Sequence, residues 1–304
     1  DPFEEPGVPR NVEEWLTDVE KGMKETLKEY FTRSFEAFSP EKKDSWLFEW
    51  PAQIVLVVGQ TLWTYEVETA LMAMPQNPDS LKNCYKAQRD KLMHIVKLIQ
   101  KGNHAPKDTT TLEVLIVLEV HGLDVIEDLQ KNKIEGKDFF EWTSQLRYYW
   151  DYNEKEKAQR LSAKMIITER AYGWEYLGNQ GRLVITPLTD RCYRTLMSAL
   201  HMNLGGAPEG PAGTGKTETT KDLAKALAKH CVVFNCSDEL EIGQMSKFFM
   251  GLTSCGSWAC FDEFNRLEER ILSAVSQQIL TIQTGLREKS PKRSEERRVG
   301  KECL

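Results

Sequence analysis

The sequence lacks an excess of positive charge, a long apolar run and a recognisable leader. Its 40 Lys and Arg against 46 Asp and Glu give a net charge of −6, which offers no support for nucleic acid as the main partner. The best apolar run, residues 54–58, is far too short to span a bilayer. The first five residues have neither the basic nor the apolar region of a secretory signal. Because no initiator Met is present, we expect the chain to begin inside a longer protein.

Paired cysteines and metal-ligand spacings are also missing. The seven cysteines form no C-x-x-C pair, which favours reduced thiols in the cytosol. Cys231, Cys236 and Cys260 fall in apolar runs and are predicted to be small core residues. His94 and His121 lie in predicted helices without a neighbouring cluster of Cys or acidic residues, so we interpret them as structural histidines.

One stretch that is present fits G-x-x-x-x-G-K-[ST], the phosphate-binding P-loop or Walker A motif. Its glycines allow a tight turn whose backbone N–H groups form a nest for phosphate oxygens. The helical pattern that follows places those phosphates at a helix N-terminus, where the dipole favours negative charge. The motif consists of Gly210, Pro211, Ala212, Gly213, Thr214, Gly215, Lys216 and Thr217. Lys216 can reach the β- and γ-phosphates, and the Thr217 hydroxyl can hold Mg²⁺.

A second motif is needed, because a P-loop string arises by chance in roughly one chain per hundred of this length. The alternative to a phosphate-binding loop is a purely structural glycine-rich turn before an amphipathic helix. Residues 258–263 form a short apolar run that ends in Asp262 and Glu263, which predicts a buried parallel strand with carboxylates at its C-terminal edge. Asp262 would hold Mg²⁺ through water, and Glu263 would orient and deprotonate the attacking water. Alone, this acidic pair would indicate only a solvated strand end; together the two motifs predict nucleotide binding.

Helical patterns dominate the N-terminal half. The predicted helices run from about 11 to 39, from 41 to 74 with a break at Pro51, from 81 to 100 and from 111 to 131. Alternating apolar residues on both sides of the charged turn 151–157 then predict a β-hairpin, with Leu161, Ala163, Met165 and Ile167 on one face. An extended stretch at 181–187 leads into a helix at 190–203.

Strands and helices alternate in the C-terminal half. We predict strands at 231–235 and 258–262 and helices at 217–229, 244–252 and 267–283, an order that implies a parallel sheet covered on both faces. The fold class is therefore a mainly α-helical N-terminal region with a β-hairpin, followed by a partial α/β P-loop domain with a parallel sheet.

Several of these stretches resemble dynein heavy chains, over nearly all of residues 10–287. The matching residues in the C-terminal half are similar to the first AAA+ module of that family: 176–179, 182–193, 210–221, 233–238 and 260–266. Two earlier stretches, Glu49-Trp50-Pro51-Ala52-Gln53 and Gln145-Leu146-Arg147-Tyr148-Tyr149-Trp150, resemble the C-terminal part of the dynein linker. The helical segment is more similar to axonemal than to cytoplasmic chains. The Gly-rich run 203–208 before the P-loop, unusual for P-loop proteins, is accounted for by the same resemblance.

The resemblance implies an ATP-driven, minus-end-directed microtubule motor in which the linker is the mechanical element. ATP or ADP with Mg²⁺ would be the cofactors, and Glu263 and Lys216 the catalytic residues. Val184 and Ile185, with Thr186, would lie beside the adenine. The phosphates would contact the P-loop from Gly210 to Thr217 and Glu218. Thr217 and Asp262 would hold the metal.

The same resemblance implies partners and a location. The partners would be neighbouring AAA+ modules that supply an arginine finger, microtubules bound through a stalk elsewhere in the heavy chain, and dynein intermediate and light chains. The location would be the cytoplasm and cytoskeleton, within the axoneme of a cilium or flagellum. Nucleic acid and membrane are not expected partners.

The predicted domains are a linker region at 1–175, an incomplete first AAA+ large subdomain at 176–291 and a tail at 292–304. The tail looks like a translated sequencing adapter; a genuine charged, disordered tail is the alternative. Since the arginine finger and the sensor strand would lie outside these residues, we expect the isolated 304-residue chain to be a weak ATPase. Two other function classes stay open: a regulatory module that binds ATP without hydrolysing it, and a purely structural scaffold.

Overall fold

The computed structural model describes residues 11–39, 43–102, 104–154, 156–211, 213–237 and 240–287. These fall into two compact units that divide between Asp190 and Arg191. Residues 1–10 and the adapter-like tail (292–304) lie outside the described residues.

Five helices and one helical turn open the first unit. They are α1 (Val12–Ala37), α2 (Lys43–Glu49), α3 (Ala52–Ala73), α4 (Ser80–Lys101), α5 (Pro106–Lys131) and the single turn α6 (Phe140–Thr143). The predicted helices and the break at Pro51 are confirmed, although α5 begins five residues earlier than expected, with Pro106 in its first turn. Proline is well placed there, because its missing N–H would have had no helical partner.

An apolar core holds these helices together. It joins α3, α4, α5 and α6 through Trp63, Val67, Ala70, Leu71, Leu81, Val125, Ile126, Leu129, Ile134 and Trp142, all buried. Beside this core, Glu68 accepts hydrogen bonds from the Trp142 indole (3.1 Å) and the Tyr149 hydroxyl (2.5 Å), and Arg147 lies 3.7 Å from the same carboxylate oxygen. The Glu68 carboxylate, of which little is exposed, is thus paired and hydrogen-bonded, as removal of a charge from water requires.

A three-stranded antiparallel sheet completes the first unit. Its strands, in sheet order, are β1 (Arg147–Asn153), β2 (Ala158–Met165) and β3 (Thr168–Ala171). The predicted hairpin is β1–β2, and β3 was not predicted. The outer edge of β1 is covered by α3, because the Tyr148 N–H bonds the Thr64 hydroxyl (3.2 Å) and the Trp150 N–H bonds the Tyr65 hydroxyl (2.8 Å).

The prediction that Ile167 continues the buried face of the hairpin is wrong. Met165 pairs with Thr168 across a two-residue turn formed by Ile166 and Ile167. Ile166 has φ of +54°, and Ile167 is 78% exposed at the tip of the turn. Such turns normally carry Gly or Asn, so an Ile-Ile tip gives no recognisable turn signal in the sequence.

In the part of the chain that the structure describes, four helices and a parallel pair of strands lie wholly or mostly in the second unit. Helix α7 (Pro187–His201) enters it, and α8 (Lys216–Ala226), β4 (Cys231–Asn235), α9 (Ile242–Cys255), β5 (Trp258–Asp262) and α10 (Glu269–Arg287) follow. The parallel pairing of β4 with β5 is confirmed, with Asn235 opposite Asp262. Residues of α9, α10 and the adjoining loops form a core of Cys236, Met245, Phe249, Leu267, Ile271 and Val275.

Two expectations for this sheet are corrected by the burial of its residues. Strand β5 is half-buried throughout rather than buried, and Cys231 and Cys260 are likewise half-buried, whereas Cys236 is a core residue as predicted. Each of the two strands has one strand neighbour in the part of the chain that the structure describes, which leaves more of its surface uncovered. The Gly-rich run 203–208 contains no strand, as its composition suggests.

His121 predicts a pH-dependent stability of the first unit. Burial, with a smaller contribution from the Arg182 charge, lowers the pKa of His121 to about 4. Between about pH 6.5 and 4 the unfolded chain therefore binds a proton that the folded unit does not, and stability falls as the pH falls. We expect a loss of about 2–3 kcal/mol over this interval.

Denaturant titrations at several pH values can measure this loss by tryptophan fluorescence, because seven of the eight tryptophans lie in the first unit. His121→Gln should show a flatter dependence on pH, since glutamine takes up no proton and the carboxylates are the same in both proteins. Equal slopes for the two proteins would show that His121 does not contribute.

Candidate nucleotide-binding site

The P-loop forms a tight turn that leads directly into α8. Gly213 and Gly215 have φ of +77° and +78°, a left-handed conformation that glycine adopts without the steric cost of a Cβ. The Thr214 hydroxyl donates to the Pro211 carbonyl at 2.9 Å and closes the loop on itself. Ala212 lies outside the described residues. The described residues of the loop therefore form the tight turn that the motif predicts.

Helix α8 begins at Lys216, so the loop ends at a helix N-terminus, where free N–H groups and the helix dipole favour an anion. The Glu218 side chain is turned away along the helix surface and pairs with Lys221 at 2.6 Å. The backbone N–H of Glu218, rather than its carboxylate, is the group with the right chemistry for a phosphate.

Lys216 reaches back across the loop. Its ammonium donates to the carbonyls of Gly210 and Pro211, each at 2.8 Å. These two bonds use two of the three ammonium protons and hold the positive charge over the turn. The charge and the helix N-terminus therefore belong to one small, exposed region that suits a phosphate chain.

The acidic motif meets the P-loop at Asp262. The Thr217 hydroxyl on α8 donates to Asp262 Oδ2 at the end of β5, at 3.2 Å. The other oxygen, Oδ1, accepts from the Glu263 N–H at 3.1 Å, which fixes the direction of the carboxylate. Two oxygen atoms from motifs 45 residues apart thus lie side by side, as expected if both serve one metal ion.

This pair fits a Mg²⁺ ion. Mg²⁺ prefers oxygen ligands and is commonly held by one or two carboxylates together with water and substrate phosphates. Among the described residues, no three His, Cys, Asp or Glu side chains form a cluster that could hold a metal without such additional ligands. Thr217 and Asp262 are therefore suited to an ion that arrives with a nucleotide rather than to a resident metal.

Glu263 lies immediately beyond β5 in an unusual conformation. Its φ of +53° is left-handed, and a short 3₁₀ turn, Phe264–Arg266, follows it. The carboxylate is exposed, and its Oε2 lies 3.5 Å from Arg266 Nε. An exposed pair of this kind contributes only about 0–1 kcal/mol, so Glu263 stays free to contact a bound ligand. Sequence reasoning missed both the conformation and the Arg266 contact.

The residues predicted to lie beside the adenine belong to the first unit, whereas the P-loop belongs to the second. Val184 is 68% exposed and Ile185 is half-buried, in an extended segment without regular structure. Thr186 and Thr189 exchange hydrogen bonds at the start of α7. The contact of Val184 and Ile185 with adenine stays a prediction.

The motifs also failed to indicate a buried polar pair next to the loop, formed by Tyr193 on α7 and Asp222 on α8. A signal was available in the sequence. Thr219, Asp222 and Ala226 recur at helical spacing, and all three are buried on one face of α8. An acidic residue in such a stripe indicates a specific partner, because a buried carboxylate needs one.

Comparisons with known proteins find similarity to dynein heavy chains. Residues 172–298 match the family described as the hydrolytic ATP binding site of dynein motor region. The chain is 52% identical to dynein axonemal heavy chain 3 of Mus musculus over 275 residues, 90% of this chain and 6% of that protein. It is 48% identical to dynein axonemal heavy chain 12 of Homo sapiens over 278 residues, 91% of this chain and 9% of that protein.

A third relative is dynein axonemal heavy chain 1 of Rattus norvegicus, 47% identical over 280 residues, 92% of this chain and 6% of that protein. Over about nine-tenths of its length, the chain is thus similar to axonemal dynein heavy chains. The predicted resemblance to dynein heavy chains is thereby confirmed, and the relatives named here are axonemal chains. The chain spans less than a tenth of the length of these relatives. No described helix is both long enough and apolar enough to cross a membrane.

Proposed function

We propose that this chain is the ATP-binding and ATP-hydrolysing segment of a minus-end-directed dynein motor, with its helical N-terminal region acting as the linker. The observation that carries the proposal is the hydrogen bond between Thr217 and Asp262, which joins the P-loop helix to the acidic strand end. The match of residues 172–298 to a dynein ATP-binding family supports it. The assignment to the first AAA+ module and to the linker belongs to the same proposal.

The residues then have distinct roles. The P-loop backbone and Lys216 bind the β- and γ-phosphates, and Thr217 and Asp262 hold Mg²⁺, which neutralises charge on the phosphates when bound. Glu263 orients the attacking water and accepts its proton. Phosphoryl transfer needs mainly positioning and charge stabilisation, so the remaining contribution falls to an arginine finger from a neighbouring module.

The proposed partners follow from the relatives, which are axonemal dynein heavy chains. They are neighbouring AAA+ modules of the same heavy chain, microtubules, and dynein intermediate and light chains. The proposed location is the cytoskeleton of a cilium or flagellum. An exposed Glu263 directly beside Asp262 favours a hydrolysing site over one that only senses ATP, because sensing needs no base.

The metal assignment can be tested by removing one hydroxyl. Thr217→Val keeps the side-chain shape but loses the Mg²⁺ ligand, so we expect Mg·ATP affinity to fall about tenfold or more. Binding of ATP in excess EDTA should change little. Equilibrium titrations with and without Mg²⁺ measure both quantities.

Thr220→Val is the matched control, because the Thr220 hydroxyl donates to the Lys216 carbonyl of α8 itself at 3.2 Å. It should retain the full effect of Mg²⁺ on affinity. If Thr217→Val retained that effect as well, Thr217 would not be a metal ligand.

A further inference from the structure

The P-loop helix carries a buried carboxylate that the phosphate-binding motif does not require. Asp222 on α8 is 1% exposed and Tyr193 on α7 is 2% exposed. The Tyr193 hydroxyl donates to Asp222 Oδ2 at 2.5 Å. A short hydrogen bond to a carboxylate is among the stronger and more directional contacts in proteins. The Tyr193–Asp222 bond joins α7 to α8. Its position on α8 is about one and a half helical turns after Lys216 and Thr217.

Helix α7 also borders the chain just before the P-loop. A Cβ at Gly206 would lie 2.2 Å from Leu196 Cδ2, so the backbone at Gly206 runs directly against α7. The Leu204 N–H donates to the Ala199 carbonyl at 2.8 Å, just after the end of α7. Helix α7 therefore contacts both the segment before the P-loop, at Leu204 and Gly206, and helix α8 after it.

A role in orientation explains Asp222 better than a role in stability. A hydrogen bond from a neutral hydroxyl to a buried carboxylate contributes little net stability, because removing the carboxylate from water costs about as much as the bond regains. The apolar neighbours Leu223 and Ala224 could bury α8 without it, but apolar contacts have no preferred direction. A hydrogen bond fixes both the rotation of α8 and its position along its own axis.

We propose that Tyr193 and Asp222 are a positioning pair, which sets the orientation of α8 and thereby places Lys216 and Thr217 for the phosphates and the metal. The inference rests on the proposed function, because it concerns how well the same site binds Mg·ATP. A displacement of about 1 Å at such a site can cost as much as a hundredfold. Neither residue touches the nucleotide in this proposal; each acts through α8.

Tyr193→Phe in the 304-residue chain is the direct test, because it removes only the hydroxyl. We expect Mg·ATP affinity, measured well below the unfolding temperature, to fall about tenfold. Asp222→Asn keeps an oxygen that accepts from Tyr193, so it should retain affinity within about threefold of wild type. The double variant Tyr193→Phe with Asp222→Leu replaces both polar partners by apolar groups, which can restore stability. It should not restore affinity.

Ser246→Ala is the matched control. It removes another buried side-chain hydrogen bond of the second unit, the one donated by Gln278 on α10 to Ser246 on α9 at 2.5 Å. This variant should lose thermal stability but bind Mg·ATP like wild type. If Tyr193→Phe does not fold, Asp222→Ala breaks the same bond from the other side without leaving a buried carboxylate.

The outcomes separate this inference from the proposed function. The proposed function stands if wild type binds Mg·ATP and Lys216→Ala does not. The positioning role is then wrong if Tyr193→Phe and Asp222→Ala bind like wild type. If the double variant recovers stability and affinity together, the pair acts only in packing, which also overturns the inference. If wild type does not bind Mg·ATP, both proposals fail. Reduced affinity in Tyr193→Phe, with retention in Asp222→Asn and Ser246→Ala, supports the inference.

Discussion

Lys216→Ala is expected to lose nucleotide binding, with affinities for ATP and ADP reduced about a hundredfold or more. The Lys216 ammonium lies over the turn, bonded to the carbonyls of Gly210 and Pro211, where the phosphates would replace or join these contacts. Hydrogen bonds to charged groups contribute about 1.5–3 kcal/mol each, and this cation can contact both the β- and the γ-phosphate. Equilibrium titration of the 304-residue chain with ATP and with ADP measures the loss.

Lys247→Ala is the control, because it removes the same charge from an exposed position on α9 of the second unit. It should bind both nucleotides like wild type. Near-normal affinity in Lys216→Ala would contradict the P-loop assignment, whereas a similar loss in both variants would indicate that only net charge matters.

Glu263→Gln is expected to leave ATP bound and unhydrolysed. The amide has nearly the shape of the carboxylate but cannot accept the proton of the attacking water, so single-turnover hydrolysis should fall about 10²- to 10⁴-fold. Affinity for Mg·ATP should stay within a few-fold of wild type, because Asp262 and Thr217 are unchanged. The measurement requires a heavy chain that contains this segment, so that the neighbouring module can supply its arginine.

Glu268→Gln is the matched control, since Glu268 is a nearby carboxylate that pairs with Arg270 at 2.7 Å. It should hydrolyse ATP at the wild-type rate. Hydrolysis at the normal rate in Glu263→Gln would show that another group is the base. Binding without hydrolysis in the wild-type heavy chain would instead favour the regulatory alternative.

The sequence predicted the fold well where apolar spacing and chain breaks agree. Strand β4 and strand β5 have the predicted bounds, because each is a short apolar run with a clear polar end. Pro51 separates α2 from α3 as expected. Strand β3 was missed because its four residues follow a two-residue turn at Ile166 and Ile167 that lacks turn-forming residue types.

The candidate site was predictable to the extent that it depends on local motifs. The positive φ of Gly213 and Gly215, the helix start at Lys216 and the contact of Thr217 with Asp262 all follow from residue types and strand order. The left-handed conformation of Glu263 does not, because a bulky residue rarely adopts it and the surrounding fold must impose it. The Tyr193–Asp222 bond does not follow either. Its two residues are 29 positions apart on different helices, and their contact depends on how those helices pack.

Microtubule gliding by a heavy chain that contains this segment tests the central claim most directly. The wild-type heavy chain is fixed to a surface, and ATP and polarity-marked microtubules are added. We expect the microtubules to glide with their plus ends leading, as they do over a minus-end-directed motor. Glu263→Gln should hold microtubules without sustained movement, and Glu268→Gln should move them at the wild-type velocity. Gliding by Glu263→Gln at the wild-type velocity would contradict the claim that ATP hydrolysis at this site drives the motor.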